Sequence, residues 1–166
     1  MCFSIHLWRP GCRGCRIQSY LADTDSDGRL ACLPEFGPDE ARGYLDDVEK
    51  MDGAWMVAEG DNGDLLGFVQ GIISRDSTPA FLRSHAAPAD DGWIGLLYVS
   101  DDARGAGAGG KLITAIEDYF WGKGCTACRL KVLAYNRLAR DFYEAKGYGE
   151  RDLELLKARP EGGANG

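Results

Sequence analysis

The chain opens on a period of two. Phe3, Ile5 and Leu7 fall on one side and Ser4, His6 and Trp8 on the other, which predicts a strand over residues 3–8. A short helix is expected over 12–22. A second is expected from Pro38 to about Met51, because Pro38-Asp39-Glu40 suits a helix N-terminus. The apolar runs Trp55-Met56-Val57-Ala58 and Leu65-Leu66-Gly67-Phe68-Val69-Gln70-Gly71-Ile72-Ile73 flank Asp61-Asn62-Gly63-Asp64, where Asn-Gly predicts a hairpin. Asp76 to Gly92 is a long connection of the kind that usually carries function or moves. An apolar strand is expected over 93–99. After a glycine-rich loop comes a helix to about Lys123, with Leu112, Ile113, Ile116 and Phe120 on one face. A strand over 128–135, a helix over 137–146 stopped by Gly147, and a last strand over 153–157 complete the order β-α-α-β-β-β-α-β-α-β. This pattern is a single α/β domain over residues 1–159, with a disordered tail over 160–166.

Composition narrows the class. A chain of 166 residues with 45% hydrophobic and 27% charged residues is globular and long enough to bury roughly two-thirds of its unfolded surface. No segment approaches the ~18 to 20 apolar residues of a membrane span. The N-terminal stretch lacks the basic region of a secretory signal, so a cytoplasmic location is expected. A net charge of −7 makes nucleic acid a poor partner and mildly favours a cationic or amine ligand. The sequence leaves a homodimer open.

Two features imitate metal sites. Cys12-x-x-Cys15 and Cys125-x-x-Cys128 could supply four thiolates to zinc, but the pairs lie far apart in the chain, so reduced thiols and no metal are expected. Asp23-Thr24-Asp25-Ser26-Asp27-Gly28 begins like a calcium loop, with Leu30 at the apolar position. Pro34 stands where the bidentate Glu belongs, and an acidic turn is the better reading.

The glycine-rich loop, Arg104-Gly105-Ala106-Gly107-Ala108-Gly109-Gly110-Lys111, carries the chemistry. Its glycines let backbone N–H groups turn toward one point, and a helix N-terminus adds partial positive charge, which together suit a phosphate or pyrophosphate. Gly105, Gly107 and Gly110 fit a dinucleotide fingerprint. The next strand then lacks the acidic residue that holds the ribose, and ends at Asn136. Gly105 to Lys111 also fits a nucleotide-hydrolysing P-loop, but Leu112 replaces the Ser or Thr that holds magnesium.

A third reading extends further. Arg104-Gly105-Ala106-Gly107-Ala108-Gly109 resembles the R/Q-x-x-G-x-G/A motif of the GNAT superfamily of acyl-CoA-dependent N-acyltransferases. Asn136-Arg137-Leu138-Ala139-Arg140-Asp141-Phe142-Tyr143-Glu144-Ala145-Lys146-Gly147-Tyr148 resembles that family's N-x-x-A-x-x-F-Y-x-x-x-G-F/Y helix. The likeness is tight over about residues 92–148 and loose before them.

This resemblance implies a GNAT fold, a mixed central sheet of about six to seven strands flanked by helices on both faces. Its fourth and fifth strands, here 93–99 and 128–135, would splay to receive pantetheine. It implies acetyl-CoA as cosubstrate, with the pyrophosphate on Arg104, Gly105, Ala106, Gly107, Ala108 and Gly109. The segment Leu97, Tyr98 and Val99 would lie along the pantetheine, with the main chain of Leu97 and Val99 pairing its amides. Asn136 would hydrogen-bond the cofactor, and Tyr143 would serve the departing thiolate as a proton or hydrogen-bond donor.

The resemblance departs at the base. Positions that often carry Glu in the family align with Trp93 and Gly95, which leaves Asp90, Asp91 and His85 on the long connection and His6 on the first strand as candidates. Two functions therefore stand open. One is acetyl transfer from acetyl-CoA to a primary amine by direct attack in a ternary complex; the acceptor would be a small molecule or a peptide. The other is a non-catalytic acyl-CoA-binding or regulatory module.

Overall fold

A computed structural model describes residues 2–8, 45–75, 90–151 and 155. The expected helix over 12–22, the calcium-like turn, Cys12 and Cys15, His85 and the tail lie outside the described residues. The chain divides into two compact units, Met1–Lys131 and Val132–Gly166.

The first unit is built on a five-stranded sheet in the order β1-β2-β3-β4-β5. Its strands are β1 Phe3–Leu7, β2 Ala54–Gly60, β3 Leu65–Ser74, β4 Asp91–Val99 and β5 Ala127–Leu130. The first four pair antiparallel in sequence order, and β5 joins β4 in parallel. The hairpin between β2 and β3 forms as its Asn-Gly predicts: Gly63 takes φ 81°, and its N–H reaches the carbonyl of Gly60 at 2.9 Å.

Helices cover both faces. Residues 45–50 are helical, the described part of helix α1. Leu45 and Val48 pack with Trp55, Val57 and Phe68, and Trp8, Ile72, Leu96 and Tyr98 surround that cluster. Helix α2, Ala108–Gly122, lies on the other face as the crossover between parallel β4 and β5. Leu112, Ile113, Ile116 and Phe120 are fully buried, the same four that the 3.6-residue period selects.

Missing side chains let α2 sit close. A Cβ on Gly71 would strike the Phe120 ring and come within 3.2 Å of Ile116, and one on Gly92 would strike the same ring. Because Phe120 is fully buried among packed neighbours, it has nowhere to retreat.

The mixed α/β class and the helices on both faces agree with expectation. The described residues hold five strands rather than six to seven. The fourth strand begins at Asp91 instead of residue 93, because Asp91 pairs with Ser74 and Ala127. The fifth stops at Leu130 instead of 135. Its ladder ends where Ile94 meets Leu130, and a strand without a partner leaves its backbone groups unpaired. Leu133 and Tyr135, 61% and 81% exposed, follow as non-strand residues. In β1 the alternation is only partly kept: Leu7 is exposed, whereas Trp8 packs against the α1 cluster.

The second unit holds helix α3, Arg137–Glu144, capped at both ends. Asn136 accepts the N–H of Ala139 at 3.2 Å. At the other end Gly147 takes φ 89°, the N–H of Gly147 reaches Glu144 O and that of Tyr148 reaches Tyr143 O, a Schellman closure.

Gly92→Ala is expected to destabilise the protein by about 1–3 kcal/mol, the usual cost of overfilling a packed core. Urea unfolding measures it, and an unchanged midpoint would show that Phe120 can move aside.

Candidate active site

One continuous stretch, β4 and the loop after it, carries most of the candidate residues. Its first notable feature is a bulge. Gln70 pairs with Leu96 and the next residue, Gly71, with Ile94, so Gly95 has no partner on β3 and is exposed. Pairing with β5 ends at Ile94, one residue before it.

Beyond the bulge, β4 keeps β3 on one side and has no described strand on the other. Parity decides which groups face that open side. The N–H of Ser100 reaches Leu66 O at 2.9 Å, so Ser100 faces β3 and, two by two, so do Tyr98 and Leu96. The N–H and carbonyl groups of Leu97 and Val99 therefore point along the open edge. Tyr98 differs from these two: its main chain faces β3, and its ring lies 5.6 Å from Phe68.

The loop is pinned at both ends by small buried side chains. Ala103, in the 3-10 turn Asp101–Ala103, is 1% exposed, and Ala108, the first residue of α2, is fully buried. Between them Gly105 and Gly107 take φ 76° and 85°, a left-handed backbone that side-chain-bearing residues rarely adopt. Gly107 is the N-cap of α2 and offers no side chain to the first-turn N–H groups, such as those of Ala108 and Gly109, which find no acceptor within the helix. Gly109 and Gly110 belong to that first turn rather than to a free loop. Arg104 Nη1 lies 2.5 Å from Asp101 Oδ1, both exposed, and such a surface pair is weak enough to exchange partners. The whole is a cradle of backbone N–H groups at the end of an open strand edge. A thin chain bearing amides and a pyrophosphate fits these groups.

In the second unit Asn136 spends its carbonyl oxygen on capping α3, leaving its NH2 group as the end that can donate elsewhere. Tyr143 is half-buried, in edge contact with Phe142 and Tyr148 at 5.1 and 5.7 Å. Burial pushes its phenol above the ordinary tyrosine value.

Of the candidate bases, the three in the described residues, Asp90, Asp91 and His6, are engaged elsewhere. Asp90 accepts from Arg75 at 2.8 Å, and Arg75 also holds Asp52 at 2.6 Å. That Arg75 hydrogen bond, with Lys123 beside it, keeps the Asp52 carboxyl below its usual range. Asp91 lies 2.8 Å from Arg129 Nε at the start of β4, four residues and ~13 Å along the strand from Gly95. His6 lies 3.5 Å from Glu59 on the far side of the sheet, three strands or ~14 Å from β4.

Gln70, the one polar residue in the run Leu65–Ile73, is buried, and its carboxamide lies against Gly95. Among the described residues no group of His, Cys, Asp and Glu could hold a metal ion, and no helix is long and apolar enough to cross a membrane.

An open strand edge leading to a glycine-capped helix on a mixed sheet is the frame of an acyl-CoA-dependent transferase. The chain belongs to the GNAT acetyltransferases: the model of the Acetyltransferase (GNAT) family matches residues 20–148. It is 32% identical over 103 residues to YhfO, an uncharacterized N-acetyltransferase of Bacillus subtilis, covering 62% of this chain and 63% of that protein. A thialysine N-epsilon-acetyltransferase of Bos taurus is 41% identical over 51 residues, 31% of this chain and 30% of that one. The matches thus span less than two-thirds of these curated relatives. In fold the chain is similar to AAC(6')-Iy, solved with the bisubstrate analogue CoA-S-monomethyl-acetylneamine, at a TM-score of 0.73 and 16% identity over 96% of this chain and 99% of that one.

Proposed function

We propose that this chain transfers acetyl from acetyl-CoA to a primary amine by direct attack in a ternary complex. The observation that carries this reading is the continuity of β4: a bulge at Gly95, an open edge at Leu97 and Val99, and a glycine-capped helix N-terminus after Arg104. Leu97 and Val99 hold the pantetheine amides as an added strand would. Arg104 and the backbone from Gly105 to Gly109 hold the pyrophosphate. Asn136 donates a hydrogen bond to the cofactor from its NH2 group.

The balance of the reaction sets the tasks. The amine nitrogen bonds to the acetyl carbon, the carbon–sulfur bond breaks, and the sulfur leaves as a thiolate that takes a proton. An ammonium acceptor also sheds a net proton. Tyr143 serves the sulfur. A thiol has a pKa of about 8.5 and free tyrosine about 10, so full proton transfer from tyrosine is uphill by roughly 2 kcal/mol. Burial raises the phenol further and makes the task steeper. The phenol therefore acts by donating a hydrogen bond while the thiolate forms, and water protonates the sulfur later.

The acceptor's proton passes to solvent water before attack, so the cost of its removal is set by the amine's own pKa. At pH 7 a lysine-like amine near pKa 10.4 costs roughly 4.6 kcal/mol to deprotonate, whereas an α-amine near 8 costs about 1.4. With Asp90 and Asp91 held by Arg75 and Arg129, less basic amines are the easier acceptors. The name of the thialysine-acetylating relative fits that preference, since the thialysine side-chain amine lies two carbons from an electron-withdrawing sulfur.

Three measurements test the reading. Gly107→Val is expected to weaken CoA binding more than tenfold, about 1.4 kcal/mol, because valine resists φ 85°; equal affinity by calorimetry would remove the loop from the site. Tyr143→Phe is expected to lower kcat about ten- to a hundredfold, the worth of a hydrogen bond to a charged group, with CoA affinity unchanged. Undiminished turnover in a rate-limiting chemical step would leave Tyr143 a packing residue. The third compares thialysine with lysine. kcat/KM should rise with pH toward each amine's own pKa and favour thialysine at pH 7. A shared inflection near pH 6.5 that His85→Gln abolishes would instead reveal an enzyme base. Tight acetyl-CoA binding without transfer to any amine would establish the non-catalytic module.

A further inference from the structure

Arg129 on β5 has more hydrogen-bond donors than its neighbours use. Trp93 and Arg129 are register partners on β4 and β5, and Asp91 stands two residues before Trp93, so the three share one face of the sheet. Arg129 Cζ lies over the Trp93 ring, 5.8 Å from its centroid, and Asp91 Oδ2 is 2.8 Å from Arg129 Nε. The two charges attract at that distance, yet the Nε–H is not directed at the carboxylate. Nε is buried and has no hydrogen-bond partner. Among the described residues the ion pair engages Nε alone, which leaves Nη1 and Nη2 outside it.

A guanidinium is a rigid fork of N–H donors shaped to meet a carboxylate two at a time. Here Asp91 and the Trp93 ring hold the fork in place without consuming its outer edge, and the Arg129 side chain is still 33% exposed. A pair that served only to tie β4 to β5 would gain little from this arrangement, because a half-buried ion pair seldom stabilises more than apolar packing does.

The bulge opens on the same face. A Cβ on Gly95 would meet Gln70, the strand partner of Trp55 in the α1 cluster, and Ile72, the partner of Trp93, packs on that cluster too. The guanidinium, set between Trp93 and Asp91, lies roughly 7 to 13 Å down the strand from Gly95. On the acetyltransferase reading, pantetheine runs along Val99 and then Leu97, and the acyl group arrives at Gly95.

We propose that Arg129 binds a carboxylate of the acceptor, and that the acceptor is an amino acid acetylated on a side-chain amine. Nη1 and Nη2 donate a bidentate pair of hydrogen bonds to the carboxylate. Extended lysine spans about 7 Å from side-chain nitrogen to carboxyl carbon, and a hydrogen bond adds about 3 Å. A carboxylate on Arg129 therefore brings that amine to Gly95, while the α-amine, one carbon from the carboxylate, stays out of reach. Asp91 is a positioning residue whose charge keeps the guanidinium over Trp93. Because Asp91 already balances the Arg129 charge, the selectivity comes from the geometry of the fork.

The proposal rests on the acetyltransferase reading, and the test separates the two. Lysine and thialysine are each compared with the diamine that decarboxylation makes of them, at saturating acetyl-CoA. The wild type is expected to favour each amino acid at least tenfold in kcat/KM, with acetyl on the side-chain nitrogen by mass spectrometry. This comparison needs no variant. Arg129→Met, which keeps an unbranched stem, should bring each ratio within threefold by raising KM for the amino acid, with CoA affinity unchanged within twofold. Calorimetry of lysine and its diamine on the protein–CoA complex should show the same split without turnover. A wild type that does not prefer the amino acids, or a preference that survives Arg129→Met, would overturn the proposal and leave acetyl transfer standing. No turnover of any amine, with lysine binding that Arg129→Met abolishes, would keep the carboxylate site and overturn the transfer. Absence of both turnover and lysine binding in the wild type would overturn the two together.

Discussion

The contact between Phe120 and the glycines beneath it governs the rest of this molecule. Helix α2 descends on the sheet because Gly71 and Gly92 present backbone where other residues would present a Cβ. Once Phe120 is seated there, Ile116, Ile113 and Leu112 follow along the same face, and the start of α2 has little freedom left. Ala108 is buried at that start and Ala103 at the end of β4. A core contact at one end of the helix thereby fixes the glycine cradle at the other. Packing of this density transmits position over three turns because it has no slack to absorb a shift.

A second constraint concerns hydrogen bonding. Each strand must satisfy its backbone groups on both sides or leave them to something else. At Gly95 the extra residue interrupts the β3 ladder, and pairing with β5 stops just before it. The groups of Leu97 and Val99 are then turned to an edge that a strand-like amide chain can complete. Bulges that open an edge in this way bend the strand and carry a local cost, and they recur beside functional sites. Here the cost falls on a glycine, the residue that tolerates it best.

Much of this was legible in the residues. The period of Leu112, Ile113, Ile116 and Phe120 gave the buried face of α2, Asn62-Gly63 the hairpin, and Gly147 the end of α3. These are local signals, each decided within a few residues of itself. What could not be read was decided across strands. Residues 132–135 have apolar character but pair with no strand among the described residues, so β5 ends early. Asp91 looks like a loop acid, yet Ser74 and Ala127 draw it into β4, where Arg129 holds its charge. The bulge exists only as a relation between Gln70, Gly71, Ile94 and Leu96. Gln70 was visible as a polar letter in an apolar run, but its reach toward Gly95 depends on that register. The loop motif marks the cofactor end of the proposed site, whereas the bulge beside it lies in a pairing that no single segment contains.

The distribution of protons follows from the same geometry. Near β4 several carboxylates are matched: Asp90 and Asp52 by Arg75, Asp91 by Arg129, Asp101 by Arg104. The groups that serve the cofactor on the proposed reading are the Arg104 guanidinium, backbone N–H groups, the Asn136 amide and a phenol whose pKa burial raises. All of them stabilise by hydrogen bonding and none readily exchanges a proton near neutral pH. Such a site acts through orientation and fixed dipoles, which accelerate without reorganising as charge develops. On that reading the acceptor's own pKa governs its readiness to react, selection among amines rests on their basicity as much as on their shape, and a net charge of −7 suits cationic amines.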